Sequence, residues 1–138
     1  MAPERQHVVF VCEHGAAKSV IAAAYFNQAA HERGLTIRAT ARGADPQREP
    51  STKTIAGLAA DGLTPTLEVP HALTRSDLHD ATRVIVFDCE QPTMVALRGL
   101  DTCWNDTPAI GEGYAGARDA IRSHILGLVD QMARDPRR

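Results

Sequence analysis

The stretch from residue 7 to residue 29, HVVFVCEHGAAKSVIAAAYFNQA, constrains the fold more than any other part of the chain. It opens with a short apolar run rich in β-branched residues, which is typical of a buried strand. A turn of small residues follows Cys12, and after Ser19 the apolar residues recur at the spacing of a helix that packs on a sheet. The pattern predicts a strand, a tight loop and a helix, with a thiol where the strand ends.

The loop between Cys12 and the helix predicts an anion-binding site. Successive backbone N–H groups in such a loop point inward, and the start of a helix carries partial positive charge. Both features, together with the Lys18 ammonium, favour the thiolate form of Cys12. The alternative is a buried structural cysteine at a strand end. The combination of a cysteine, a small turn, a cation and the Ser19 hydroxyl favours the anion-binding nucleophile.

Strands and helices alternate along the chain, which predicts an α/β fold. We expect a small three-layer α-β-α domain, with a four-stranded parallel sheet and helices on both faces. The length of 138 residues suits one domain over residues 1–138, with loose tails at 1–6 and 134–138. Strands are predicted at residues 7–11, 35–41, 83–88 and 100–104. Helices are predicted after residue 19 and at 52–61, 93–98 and 114–132, and residues 74–78 are predicted as a polar turn into a further short helix.

Composition narrows the class of function. A net charge of −2 predicts no nucleic-acid partner, and no apolar run approaches the length of a membrane span. The first residues lack the form of a signal peptide, and three cysteines do not make a disulfide framework. We therefore expect a cytoplasmic protein with reduced thiols. No metal-ligand spacing is present, and no cofactor is predicted.

Polar side chains follow three of the predicted strands. Cys12, Asp88, Cys89 and Asp106 each come directly or shortly after a strand. The ligand crevice of a parallel α/β sheet lies at the carboxyl ends of its strands. We therefore expect one crevice to contain these side chains.

The segment from Cys12 to Ser19 resembles the phosphate-binding loop of the low-molecular-weight protein tyrosine phosphatases and of the arsenate reductases built on the same fold. Their motif is a cysteine, five residues, an arginine and a serine, and the resemblance extends over nearly the whole chain. Three positions differ. Lys18 replaces the arginine, His14 stands where glycine is usual, and Gly15 stands where asparagine is usual. Glycine and asparagine both tolerate a left-handed backbone.

The resemblance implies a metal-free phosphatase mechanism. Cys12 would attack the phosphorus of a phosphate monoester, Ser19 would donate to its sulfur, and Asp106 would protonate the leaving oxygen and then activate water. Lysine offers a point charge where arginine offers a planar fork, so Lys18 predicts weakened or altered activity. The residues expected to hold the phosphate are Glu13, His14, Gly15, Ala16, Ala17, Lys18 and Ser19.

The loop around Asp106 departs from the family pattern. The family's acid is usually followed directly by proline, whereas here Thr107 precedes Pro108. Ala109 and Ile110 replace a pair of tyrosines that helps to hold phosphotyrosine, so that substrate is not implied. The alternative for Asp106 is a role in shaping the turn.

Two further functions remain open at this point. An arsenate reductase of this fold would use Cys12 and a resolving Cys89, and would leave a disulfide between them. Thioredoxin-linked members carry a further cysteine a few residues on, which residues 91–95 lack; Cys103 is interpreted as a core or strand cysteine. The third function is a non-catalytic module that binds phosphate or another oxyanion. The expected partners are a phosphorylated small molecule or phosphoprotein, or arsenate with a thiol reductant, and the sequence does not indicate an oligomeric state.

Overall fold

The structure, a computed structural model, describes residues 6–66 and 69–134. Most of the predicted loose tails lies outside these ranges. Of the predicted tail residues inside them, Gln6 accepts from the Arg38 amide through its carbonyl, and Arg134 caps the last helix. The strands are β1 (His7–Cys12), β2 (Arg38–Gly43), β3 (Arg83–Phe87) and β4 (Thr102–Trp104). The helices are α1 (Lys18–Glu32), α2 (Thr52–Ala60), α3 (Arg75–Asp80) and α4 (Tyr114–Ala133), with 3₁₀ turns at Val95–Leu97 and Ile110–Glu112.

The four strands form one parallel sheet in the order β2-β1-β3-β4. Residues of β1 alternate between two apolar clusters: Val8 and Phe10 pack with α1 and α4, whereas Val9 and Val11 pack with β3 and Met94. Leu78 of α3 packs against the second cluster. Both faces of β1 are therefore buried, and the predicted three-layer fold with a four-stranded parallel sheet is confirmed.

Two elements differ most from the prediction. β2 was expected to begin at Leu35 but begins at Arg38. The Leu35 amide instead donates to the Ala30 carbonyl at 2.9 Å, and Gly34 has a φ of +69°, so residues 34–35 complete the end of α1. The helix expected at residues 93–98 is a single 3₁₀ turn.

A carboxylate at the end of α2 joins three helices. The Asp61 carboxylate accepts from the hydroxyl of Tyr25 in α1 at 2.6 Å and from the hydroxyl of Tyr114 in α4 at 2.8 Å. Arg118 of α4 donates to it at 3.0 Å. The hydrogen bond from Tyr25 contributes most to a pKa of Asp61 below its ordinary value, while burial opposes that shift. The layer formed by α1, α2 and α4 is thus held together by polar contacts as well as by its apolar core.

The end of β2 presses against the turn that follows β1. Gly15 has a φ of +62°, and a Cβ atom at Gly43 would lie 2.7 Å from the Gly15 amide nitrogen. A Cβ atom at Gly15 would likewise lie 2.8 Å from the Gly43 amide nitrogen. Both contacts are with backbone, which has no flexible end to move aside. The loop after Cys12 therefore depends on glycine at both positions.

Gly43→Ala is expected to displace this loop and to lower the free energy of unfolding by about 1–3 kcal/mol, the usual cost of overpacking. Urea unfolding measures the stability. The matched control is Gly127→Ala in α4, where a Cβ atom meets nothing within 4 Å. Alanine is the better helix former, so the control is expected to be neutral or stabilising. Equal stability of the Gly43→Ala variant and the wild type would show that the close contact is not needed.

Candidate active site

The site lies where the chain crosses from one side of the sheet to the other. β1 leads outward to β2, and β3 then pairs on the opposite edge of β1. The carboxyl ends of β1 and β3 therefore flank the crevice that open α/β sheets use for ligands. A cavity of about 760 Å³ opens there, and Cys12, Lys18, Asp88 and Thr107 are among its lining residues.

Cys12 is the last residue of β1 and is 8% exposed. Its Sγ lies 3.0 Å from the Oγ of Ser19, which is fully buried in the first turn of α1. When the sulfur is ionised, the Ser19 hydroxyl donates to it. The predicted nucleophile and its predicted hydroxyl partner are therefore in contact, seven residues apart in the chain.

The carbonyl groups of the loop after Cys12 are tied to the segment that follows β2. Because the C=O and N–H of a trans peptide unit point in opposite directions, these bonds turn the N–H groups of residues 13, 14, 15 and 17 the other way, toward the cavity. The bonds run to Cys12 O from Ala44 N (3.0 Å), to Glu13 O from Asp45 N (2.7 Å), to His14 O from Gln47 N (3.2 Å) and to Ala16 O from Ser51 N (3.2 Å).

Lys18 reaches across the cavity. Its Nζ donates to Asp88 Oδ2 at 2.7 Å and to the carbonyl of Thr107 at 2.8 Å. The lysine side chain is 11% exposed and that of Asp88 24% exposed. An ammonium has three N–H donors, so one of them is left for a bound anion.

The side chains of Glu13 and His14 make contacts with residues outside the loop. Glu13 accepts from the Thr93 hydroxyl at 2.7 Å, and the His14 ring contacts the Asp45 carbonyl at 3.0 Å. The His14 side chain is 48% exposed. These two residues contribute backbone groups to the loop, whereas their side chains face the rim and solvent.

Asp88 directly follows β3 in a left-handed conformation, with a φ of +55°. Such a backbone is uncommon outside glycine and concentrates at functional positions. The Asp88 amide donates to the Trp104 carbonyl at 3.1 Å, and the next amide, of Cys89, donates to Asn105 Oδ1 at 2.8 Å. The turn that presents Asp88 to Lys18 is therefore fastened to the end of β4.

Cys89 and Cys103 form a disulfide between the turn after β3 and β4. This corrects the expectation of reduced thiols, whereas Cys103 does lie in a strand, as predicted. The two residues are 14 apart in sequence but adjacent in space because β3 and β4 pair directly. The predicted crevice is corrected as well: Cys89 packs in the cluster of Val9 and Val11, on the face of the sheet opposite to Cys12.

Asp106 does not line the cavity that contains Cys12. Its carboxylate lies 2.8 Å from the Nε2 of His124 in α4, and its side chain is 72% exposed. The hydrogen bond from His124 is the largest cause of a pKa of Asp106 below its ordinary value. The crevice therefore brings together Cys12, Lys18, Ser19 and Asp88. Asp106 faces outward from the loop after β4.

Sequence reasoning assigned no role to Thr107 or His124, and it predicted Asp88 in the crevice without its contact with Lys18. Thr107 is 7% exposed, and its hydroxyl has no hydrogen-bond partner within the part of the chain that the structure describes. The signal for Asp88 was its position after a buried strand. No signal in the sequence pointed to His124, since its partner Asp106 is 18 residues away.

Other parts of the described chain offer no comparable chemistry. A cavity of about 820 Å³ beside β1, β2 and α3 contains Arg42, which is paired with Asp77 at 2.9 Å, but no cysteine lines it. Within residues 6–66 and 69–134, no three His, Cys, Asp or Glu side chains are grouped as metal ligands. None of the helices in these ranges is long and apolar enough to cross a membrane.

Solved structures share this fold over most of the chain. YfkJ from Bacillus subtilis superposes with a TM-score of 0.85, at 18% identity over 99% of both chains. A low molecular weight phosphotyrosine phosphatase from Vibrio cholerae gives 0.79, at 17% identity over 94% of this chain and 97% of that one. An arsenate reductase from Archaeoglobus fulgidus gives 0.75, at 26% identity over 89% of this chain and 98% of that one.

The comparison with curated proteins gave no match. The sequence profile of one family, described as low molecular weight phosphotyrosine protein phosphatase, matches residues 7–99. This range includes the loop from Cys12 to Ser19 and the turn at Asp88 but ends before Asp106. Since the profile covers more than half of the chain, the protein belongs to the low molecular weight phosphotyrosine protein phosphatase family.

Proposed function

We propose that this protein is a cysteine-dependent phosphatase that hydrolyses a phosphate monoester through a phosphocysteine intermediate. The observation that carries the proposal is the 3.0 Å contact between Cys12 Sγ and Ser19 Oγ. It lies inside a loop whose carbonyl groups accept hydrogen bonds from residues 44–51. A buried sulfur beside inward-facing N–H groups suits attack on a tetrahedral anion. The substrate is a phosphorylated small molecule or a phosphoprotein.

In the first step, the Cys12 thiolate attacks phosphorus and the bond to the leaving oxygen breaks. The backbone N–H groups from Glu13 to Ser19, with the remaining N–H of Lys18, stabilise the three nonbridging oxygens in the transition state. The Ser19 hydroxyl stabilises the sulfur anion, both before attack and when the sulfur leaves in the second step. No metal is required for either step.

Asp106 is proposed as the acid that protonates the leaving oxygen and then activates the water that splits the phosphocysteine. To do this, the carboxylate has to leave His124 and turn toward the cavity. Thr107, its neighbour, is already bonded to Lys18 through its carbonyl, which keeps this part of the loop next to the phosphate position. Asp88 holds Lys18 in place.

Arsenate reduction is the second candidate. The observation that bears on it is the disulfide of Cys89 with Cys103, which lies beside the turn at Asp88. A relay that ends in a Cys12–Cys89 bond requires this disulfide to be broken first and Cys89 to cross the sheet. Reduction that uses Cys12 and a small thiol alone needs neither change. The fold is that of an Archaeoglobus arsenate reductase at 26% identity.

Three assays on the wild type and on Cys12→Ser separate the candidates. A phosphatase hydrolyses 4-nitrophenyl phosphate and loses this activity in the variant. An arsenate reductase oxidises glutathione only when arsenate is present, again with loss in the variant. Phosphate binding by calorimetry without either turnover would contradict both enzymes and leave the oxyanion-binding module.

The acid is tested by comparing phenyl phosphate, a poor leaving group, with 4-nitrophenyl phosphate. Asp106→Asn is expected to lower kcat on phenyl phosphate by roughly 10²- to 10⁴-fold, the usual contribution of an acid catalyst, and to have a small effect on the nitrophenyl ester. Asp88→Asn is expected to slow both esters alike, because it loosens Lys18 and protonates nothing. If instead Asp88→Asn produced the leaving-group effect, the acid would be Asp88.

Lys18→Arg tests whether the lysine weakens the site. Arginine can grip two oxyanion oxygens at once, so turnover of 4-nitrophenyl phosphate is expected to rise. The matched control is Lys53→Arg, at the exposed lysine that also lines the cavity. That control is expected to leave turnover unchanged. Unchanged or lower activity of the Lys18→Arg variant would show that the contacts with Asp88 and Thr107 adapt the loop to lysine.

A further inference from the structure

We propose that His124 is a positioning residue that holds the Asp106 carboxylate outside the Cys12 cavity, so that the acid acts only from molecules in which this contact is broken. The inference rests on the proposed function, because it requires Asp106 to be the acid. It adds a residue of α4, outside the range of the family match, to the control of the reaction.

The contact joins a fixed ring to an exposed carboxylate. The Nε2 of His124 lies 2.8 Å from Asp106 Oδ1, and the side chains are 31% and 72% exposed. The His124 ring stacks on the Trp104 ring, with centroids 4.5 Å apart and 16° between the planes. Trp104 is itself buried and contacts the rings of Phe10 and Phe87. The ring is therefore held by the core, and Asp106 is the partner that can turn away.

Both neighbours of Asp106 are held in place, Asn105 through its side chain and Thr107 through its backbone carbonyl. Asn105 accepts from the Cys89 amide at 2.8 Å, and the Thr107 carbonyl accepts from Lys18 at 2.8 Å. A shift of the carboxylate from His124 to the cavity therefore needs only a local rotation at residue 106. The Asp106 side chain therefore has two alternative positions, at His124 and in the cavity, while the backbone of its loop stays in place.

The carboxylate cannot act as an acid while it is bound to His124. The hydrogen bond from the ring lowers the pKa of Asp106, so the bound carboxyl is ionised at neutral pH and has no proton to give. In the cavity it would face the anionic substrate, which favours the protonated form. The observed rate then scales with the fraction of molecules in which Asp106 has left His124.

The contact is a hydrogen bond when the ring is neutral and gains an ion pair when the ring is charged. The other charged group beside the ring is Arg83 of β3, which lines the same recess and is paired with Asp101 at 3.0 Å. Within the described chain, Asp106 is therefore the acidic partner of His124.

His124→Phe is the test, since phenylalanine keeps a ring on Trp104 and cannot bond to Asp106. The ratio of variant to wild-type kcat on phenyl phosphate is expected to be roughly two- to five-fold, the range for an exposed ion pair. On 4-nitrophenyl phosphate the ratio is expected to stay near one, which a structural defect would not produce. Asp130→Asn, which breaks the ion pair of Arg33 with the same helix, is the control and is expected to change neither ratio.

The double variant His124→Phe/Asp106→Asn decides whether the gain acts through the acid. The inference requires the gain from His124→Phe to vanish in the Asp106→Asn background. A gain that persists there, or an equal or lower rate in His124→Phe, would overturn it. A strong effect of Asp106→Asn with any of these results would leave the proposed function intact. The absence of any Cys12-dependent turnover would remove both.

Discussion

The contact of Lys18 with Asp88 and Thr107 holds the site together. One buried ammonium joins the first turn of α1, the turn after β3 and the loop after β4, three segments that share no direct sequence connection. The cation and carboxylate are both largely removed from water, so loss of either partner leaves an unpaired charge that is costly to bury. The pair therefore fixes the cavity and also places the positive charge that an oxyanion would meet.

Backbone geometry also shapes the site, through the loop after Cys12. The loop after Cys12 can turn its amides inward because its carbonyls find partners in residues 44–51, and those residues come close enough only because Gly15 and Gly43 meet without side chains. The same loop leads into α1, which is buried against the sheet and α4. Cys12 is thus positioned by the fold as a whole, and a change in β2 reaches its sulfur through the backbone.

Local patterns predicted the fold well, and the first loop best of all. The apolar run of β1, the small turn and the helical spacing after Ser19 are contiguous, so their arrangement follows from short-range rules. The predicted acid was less well placed because the direction of Asp106 depends on His124, which belongs to another element. The disulfide was missed for a similar reason: Cys89 and Cys103 meet only through the pairing of β3 with β4, which three cysteines in a sequence do not reveal.

The disulfide also changes what a thiol reagent reports about this protein. Of the three cysteines, Cys89 and Cys103 are joined, and Cys12 is the one that remains reduced. A single sulfhydryl group per chain coincides with the proposed nucleophile. In preparations with the bridge intact, the number of thiols that react with an alkylating agent therefore equals the number of accessible Cys12 side chains. Alkylation then serves as a titration of the proposed active site.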